Sequence, residues 1–132
     1  MRNLVLGPVA LIAGLCALPV AASAQSYICA IGEVYECEAV TGCKRVSTDT
    51  INLSEFIVID LDKKQLVETA IGENAETEDI EGLTATDKAI FLYGHQDQET
   101  WNMNVSLENG ALTGGISSGP SSFALFGHCT KK

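Results

Sequence analysis

The chain has 132 residues, with 8 Lys or Arg against 17 Asp or Glu and a formal net charge of −9. A balance that acidic excludes the ordinary nucleic-acid and anionic-lipid binders, whose affinity comes from clustered Lys and Arg. It leaves a cationic protein, a cation, or solubility alone as what the charge serves.

At the N-terminus Arg2 precedes an uncharged, mostly apolar run over residues 4–20, which gives way to Ala22-Ser23-Ala24. This order of basic, apolar and small residues predicts a secretory signal peptide over residues 1–24, cut after Ala24. A retained membrane helix would need about 20 predominantly apolar residues in a helix. Gly7, Pro8 and Pro19 count against that reading, because both residue types weaken a helix interior. Cys16 does not read as a lipidation site, since bulky Leu15 precedes it and the apolar run continues through Ala17, Leu18 and Val20. Loss of Arg2 with the segment takes the formal charge from −9 to −10 over the remaining 108 residues. Residues 25–132 suffice for one domain with a modest core.

That domain holds four cysteines, Cys29, Cys37, Cys43 and Cys129. An even count in a small exported domain predicts two disulfides, and sequence alone leaves three connectivities open. The turn signal Thr41-Gly42 favours Cys37 with Cys43, which pairs Cys29 with Cys129. No C-x-x-C pair occurs, and the spacings fit neither a zinc ribbon nor a thioredoxin motif.

In chain order, candidate strands fall at residues 27–31, 46–51, 56–59, 65–71, 80–85, 89–93, 101–107, 111–116 and 123–129. The clearest is the seventh, where Trp101, Met103, Val105 and Leu107 alternate with Asn102, Asn104 and Ser106 to give one apolar and one polar face. Residues 56–59 and 89–93 are continuous apolar or β-branched runs, expected to be buried strands. A helix over residues 54–69 is the rival to the third and fourth, but no 3.6-residue stripe persists there. Residues 60–64 read as a connection, Glu108-Asn109-Gly110 as a turn, and the Gly- and Ser-rich stretch 114–122 as a flexible turn before the last strand. Many short strands with Gly, Asn and Ser turns predict an all-β fold, an antiparallel meander closed into a barrel or sandwich.

Candidate chemistry is sparse. Gly115-Ile116-Ser117-Ser118-Gly119 matches the G-x-S-x-G pattern, but no Asp or Glu follows Ser117, so the triad order fails. Only His95 and His128 occur, and neither belongs to a metal-spaced set. The acidic run Glu73, Glu76, Glu78, Asp79 and Glu81 lacks EF-hand spacing, as do Asp60 and Asp62, so no metal or cofactor is expected. That run is read as a solvated acidic loop and as the binding face for a cationic protein. Trp101 and the other aromatic residues are read as core packing.

Signal peptide, Tyr27-x-Cys29, a strand around Ile57 to Leu61, a late strand and turn at 105–112 and a closing Gly127-x-Cys129 resemble a group of small exported bacterial β-domain proteins. The likeness implies export and a disulfide-linked β domain, and no activity. Tyr27-Ile28-Cys29-Ala30-Ile31-Gly32 also resembles the Y-x-C-x-x-G opening of the membrane-associated C-type lysozyme inhibitors, small periplasmic barrels. The expected function is therefore a periplasmic or secreted non-enzymatic binding domain, in its sharpest form an inhibitor of a cationic hydrolase such as lysozyme. The alternatives are a small carboxylate-dependent envelope hydrolase and a purely structural surface module.

Overall fold

The computed structural model describes residues 25–69 and 76–132. The expected signal peptide and Glu73 lie outside them. Ten strands form: β1 (Ser26–Glu38), β2 (Gly42–Val46), β3 (Phe56–Asp60), β4 (Gln65–Glu68), β5 (Thr77–Asp79), β6 (Gly82–Ala85), β7 (Ala89–Gln96), β8 (Glu99–Ser106), β9 (Ala111–Ser118) and β10 (Ser121–Lys131). Every pairing is antiparallel.

The pairing order is β5-β4-β3-β1-β10-β9-β8-β7-β6, with β2 appended to β1 as a hairpin. The two ends of that order, β5 and β6, are consecutive in the chain and separated only by Ile80 and Glu81. These two residues bridge the seam, as the Ile80 N–H donates to the Lys64 carbonyl and the Glu81 N–H to the Tyr93 carbonyl. The expected meander thus curls into a half-barrel whose two ends are joined through residues 80 and 81, with no pairing between β5 and β6.

Inward residues stack in layers set by the strand registers. Ile90, Val105, Leu112, Gly127 and Ile31 form one layer. Leu92, Met103, Gly114 and Leu125 form the next, and Gly94, Trp101, Ile116 and Phe123 the one above. A glycine stands beside a large side chain in each, which is how a narrow barrel fills without overpacking. A Cβ on Gly114, for example, would lie 2.8 Å from the Asn102 carbonyl oxygen and 3.3 Å from Met103 Cγ. One register shift occurs, between Ile31 and Glu33, which makes Gly32 of the Y-x-C-x-x-G opening a β-bulge.

Both disulfides form as the turn signal favoured, Cys29 with Cys129 and Cys37 with Cys43, and each joins residues directly opposite on paired strands. The first is buried between β1 and β10, and the second lies on the hairpin of β1 and β2. Disulfides of this kind belong to an oxidising compartment. No helix among the described residues is long and apolar enough to cross a membrane.

Four expectations need correction. Residues 46–51 are not a strand: β2 ends at Val46, and Thr48–Ile51 form a 3-10 turn closed by Asn52 in the left-handed region at φ 51°. Residues 56–59 and 89–93 are not buried on both faces, because Phe56, Phe91 and Tyr93 point outward and are exposed. Only the inward face of each strand packs on the core, and the outward face meets solvent. The stretch 114–122 is no flexible turn, since residues 114–118 pair on both sides and only Gly119 and Pro120 make the turn. Finally, Thr77–Asp79, within the supposed acidic loop, is β5. The candidate strand 65–71 is β4 as far as Glu68, and its residues 70 and 71 lie outside the described part.

Candidate functional site at the barrel mouth

The interior is not evenly filled. Ile90, Val105 and Leu112 are buried. A cup of about 770 Å³ opens between residues 51–53, β3, β4, β5, β8 and the turns at 96–99 and 118–120. Its floor is apolar, built from Leu53, Ile57, Leu66, Met103 and Ile116.

Strand period explains what stands above that floor. Leu66 faces inward on β4, so Glu68, two residues on, faces the same way. Ile80 faces inward after β5, which turns Glu78 and Glu76 inward too. Trp101 faces inward on β8, and two residues earlier so does Glu99. Asp97, in the β7–β8 turn, completes the rim. No Lys, Arg or His lines the cup among the described residues. The basic side chains that make ion pairs do so elsewhere, Lys44 with Glu36, Arg45 with Glu33 and Lys63 with Asp60.

The local hydrogen bonds hold this rim in place. The Ser54 N–H donates to the Glu68 carboxylate at 3.0 Å, and the Glu68 N–H to the Glu76 carbonyl at 2.8 Å. Ser118 Oγ donates to Glu99 Oε1 at 2.5 Å. Burial is the main reason the Glu68 carboxyl titrates above the ordinary carboxylate range, with the Glu76 charge adding to it and the Ser54 N–H opposing it. Burial also leads for Glu78, reinforced by Glu68, Glu76 and Glu99 and opposed by the Trp101 indole.

Trp101 is the chain's single tryptophan and is 7% exposed. Its indole edge lies on Gly94, where a Cβ would come within 2.6 Å of Cζ2 and 2.9 Å of Cε2. The buried indole N–H lies beside the Glu78 carboxylate, its neighbouring acceptor, at a geometry short of a full hydrogen bond among the described residues. A buried tryptophan N–H ordinarily finds an acceptor, and the Glu78 carboxylate is the one at hand. The cup therefore offers carboxylate acceptors and an apolar floor.

Of the five acidic residues expected to bind, Glu76 and Glu78 come to the mouth. Asp79 and Glu81 do not, because period 2 turns them outward. There Asp79 accepts from Gln65 Nε2 at 3.4 Å and Glu81 pairs with His95. Glu73 lies outside the described residues. Sequence reasoning missed Glu68, Asp97, Glu99 and the role of Trp101. The signal for Glu68 and Glu99 was present, as each stands two residues from an inward apolar residue.

Among the described residues no group of His, Cys, Asp or Glu converges to hold a metal ion. The arrangement fits recognition of a positively charged group that brings some apolar surface with it. No protein-family model matches the chain, and neither a curated protein nor a solved structure is significantly similar to it.

Proposed function

We propose that this protein is an exported, non-enzymatic binding domain that takes a cationic partner at the acidic mouth of its barrel. The observation that carries the reading is the rim of Glu68, Glu76, Glu78, Asp97 and Glu99 above an apolar floor, with no basic residue lining it among the described residues. Such a rim attracts a cation over distance, and the floor rewards the apolar stem behind the charge. Export rests on the N-terminal pattern of residues 1–24 and on two disulfides, and the compartment is the periplasm or the exterior. In its sharpest form the partner is a cationic hydrolase such as lysozyme, in keeping with the Y-x-C-x-x-G opening at Tyr27 to Gly32.

The test is the association rate of the oxidised protein with lysozyme at low and high salt, together with residual lysozyme activity. Binding should weaken with salt, because the Debye length falls from about 10 Å at 0.1 M to about 3 Å at 1 M. The variant Glu76→Gln with Glu78→Gln should slow association. The outward variant Asp79→Asn with Glu81→Gln should change it less. Salt-independent binding, or an equal loss in both variants, counts against the mouth as the binding face.

A second reading has one observation behind it. Glu68 and Glu78 both titrate high within a single cup, the setting in which a carboxyl serves as a general acid. Turnover of an envelope polysaccharide, abolished by Glu68→Gln or by Glu78→Gln, would establish that enzyme in place of the binding domain.

A further inference from the structure

The chain carries a formal charge of −9, yet among the described residues no Asp, Glu, Lys or Arg stands at an outward position of β6 to β10. From the side chains that do stand there, we propose that this outer face binds a neutral polysaccharide. They alternate along the strands with the residues that face the interior, so the surface is separate from the acidic mouth. The inference does not depend on what the mouth takes.

The face consists of Thr, Ser, Asn, Gly and Ala, with His95 and His128 at opposite ends and the rings of Phe91, Tyr93 and Phe126 exposed among them. Asn104 stands directly opposite Phe91 in the ladder and Asn102 directly opposite Tyr93, so each of these rings has an amide beside it. An amide both donates and accepts hydrogen bonds, as a sugar hydroxyl does, whereas a carboxylate only accepts and an ammonium only donates. The rings add apolar area on which the C–H face of a sugar packs. A protein partner fits less well. Protein interfaces enrich Met and Arg along with aromatic residues, and this face has neither, nor any aliphatic side chain larger than that of Ala.

Small residues set the relief of the face. One cross-strand row runs Gly82, Tyr93, Asn102, Gly115, Ala124 and Tyr35. The hydroxyl end of the Tyr93 ring lies over Gly82, where a Cβ would come 2.6 Å from the phenol oxygen. The Asn102 amide lies over Gly115, its Nδ2 3.5 Å from where a Cβ would be. Gly115 and Ala124 thus form a low step between two aromatic pairs. On one side are Phe91 and Tyr93, and on the other Tyr35 and Phe126, whose rings meet edge to face with centroids 6.0 Å apart. Strands β7 and β10 are separated by β8 and β9, a path of about 14 Å along the sheet at about 4.8 Å per strand. A ligand that touches both pairs is therefore a chain of several sugars and not a single one.

The experiment titrates the oxidised protein with cellohexaose, chitohexaose and maltohexaose and follows its proton-nitrogen spectrum. That spectrum holds separate signals for the Asn102 and Asn104 side-chain amides on the outer face and for the single Trp101 indole inside the cup. At least one of these neutral sugars should shift the Asn102 and Asn104 signals saturably and leave the indole in place. Phe91→Ala and Tyr93→Ala should each weaken that binding by about fivefold, the scale of one aromatic contact. Both side chains are exposed, so the fold survives their loss, and a dispersed spectrum checks this. Gly82→Ala should weaken binding by a smaller factor, because the added methyl displaces the Tyr93 ring without removing it. The mouth variant Glu76→Gln with Glu78→Gln should leave the affinity as it was. No response to any of the sugars, a response confined to the indole, or an unchanged affinity in both aromatic variants overturns the proposal. Equal binding of the anionic polygalacturonate also overturns it. So does sedimentation of the parent as a dimer that Phe91→Ala and Tyr93→Ala dissociate while no sugar binds, which would assign the face to a second copy of the chain.

Discussion

Gly94 and Gly82 both lie against aromatic rings, and the two rings differ in what they can do about an added methyl group. At Gly94 the methyl meets the buried indole of Trp101, with the Asp79 carbonyl oxygen 3.1 Å away on another side. Neither neighbour can withdraw, since the indole is packed on the barrel wall and the carbonyl belongs to the closing strand. Gly94→Ala should therefore destabilise the protein by about 1 to 3 kcal/mol, the usual cost of overpacking a core, and should shift the tryptophan fluorescence. At Gly82 the methyl meets the far end of the Tyr93 ring, within 2.0 Å of Cε1, but that side chain is 58% exposed and can swing outward. Gly82→Ala should stay within about 0.5 kcal/mol of the parent, as surface changes do. Urea midpoints of the two variants decide it, and equal losses would show that the indole is free to move.

At the scale of strands, what the sequence made legible was phase, and what it hid was the reach of each strand. Trp101, Met103 and Val105 alternate with polar residues, and β8 has that register in the barrel. The same period carried two residues further places Glu99 and Glu68 inside. Charged residues at strand ends look like loop, however, and the run around Glu76 and Glu78 was read that way. Only the neighbouring inward residues Leu66 and Ile80 reveal its phase. Glycine misled in the same manner at residues 114–118, where the small residue on the inward face is demanded by Met103 and Leu125. Residues 46–51 failed for a third reason, because the left-handed turn at Asn52 ends a 3-10 segment that β-branched residues disguised. Cysteine pairing was legible because the turn between Cys37 and Cys43 left one partner for each of the others. Its energetic weight follows from the loops closed. Cys29–Cys129 spans a sequence separation of 100, and removing it with paired alanines should cost about 4 to 5 kcal/mol in the chain-entropy relation. Cys37–Cys43 spans 6, and its removal should cost about 2 kcal/mol by the same relation. Denaturant curves of the two double variants measure both, and an equal cost would mean that the long bridge acts through native packing and not through the unfolded chain.

For the whole molecule, the acidic mouth makes stability depend on pH in a direction that the two buried carboxyls fix. Burial and mutual repulsion raise the titration of Glu68 and Glu78 in the folded protein, while in the unfolded chain both revert to the ordinary glutamate value of about 4.3. Between the two values the folded state holds more protons than the unfolded one, so folding is favoured as pH falls through that window. Their contribution is fully present below the unfolded value and is lost as pH rises through the folded one. The overall charge of −9 acts in the same sense, because protonating any carboxylate relieves self-repulsion. Comparison with Glu68→Gln combined with Glu78→Gln separates the two, since it removes the titration of the mouth and keeps most of the remaining charge. The parent protein should melt at a higher temperature in mildly acidic buffer than at neutral pH. The double variant should lose much of that difference and be the more stable of the two at neutral pH. Melting curves of the parent and the double variant across that range read both dependences. A parent whose melting temperature rises towards neutral pH would show that some other group governs the linkage and that the mouth carboxyls are hydrated in solution.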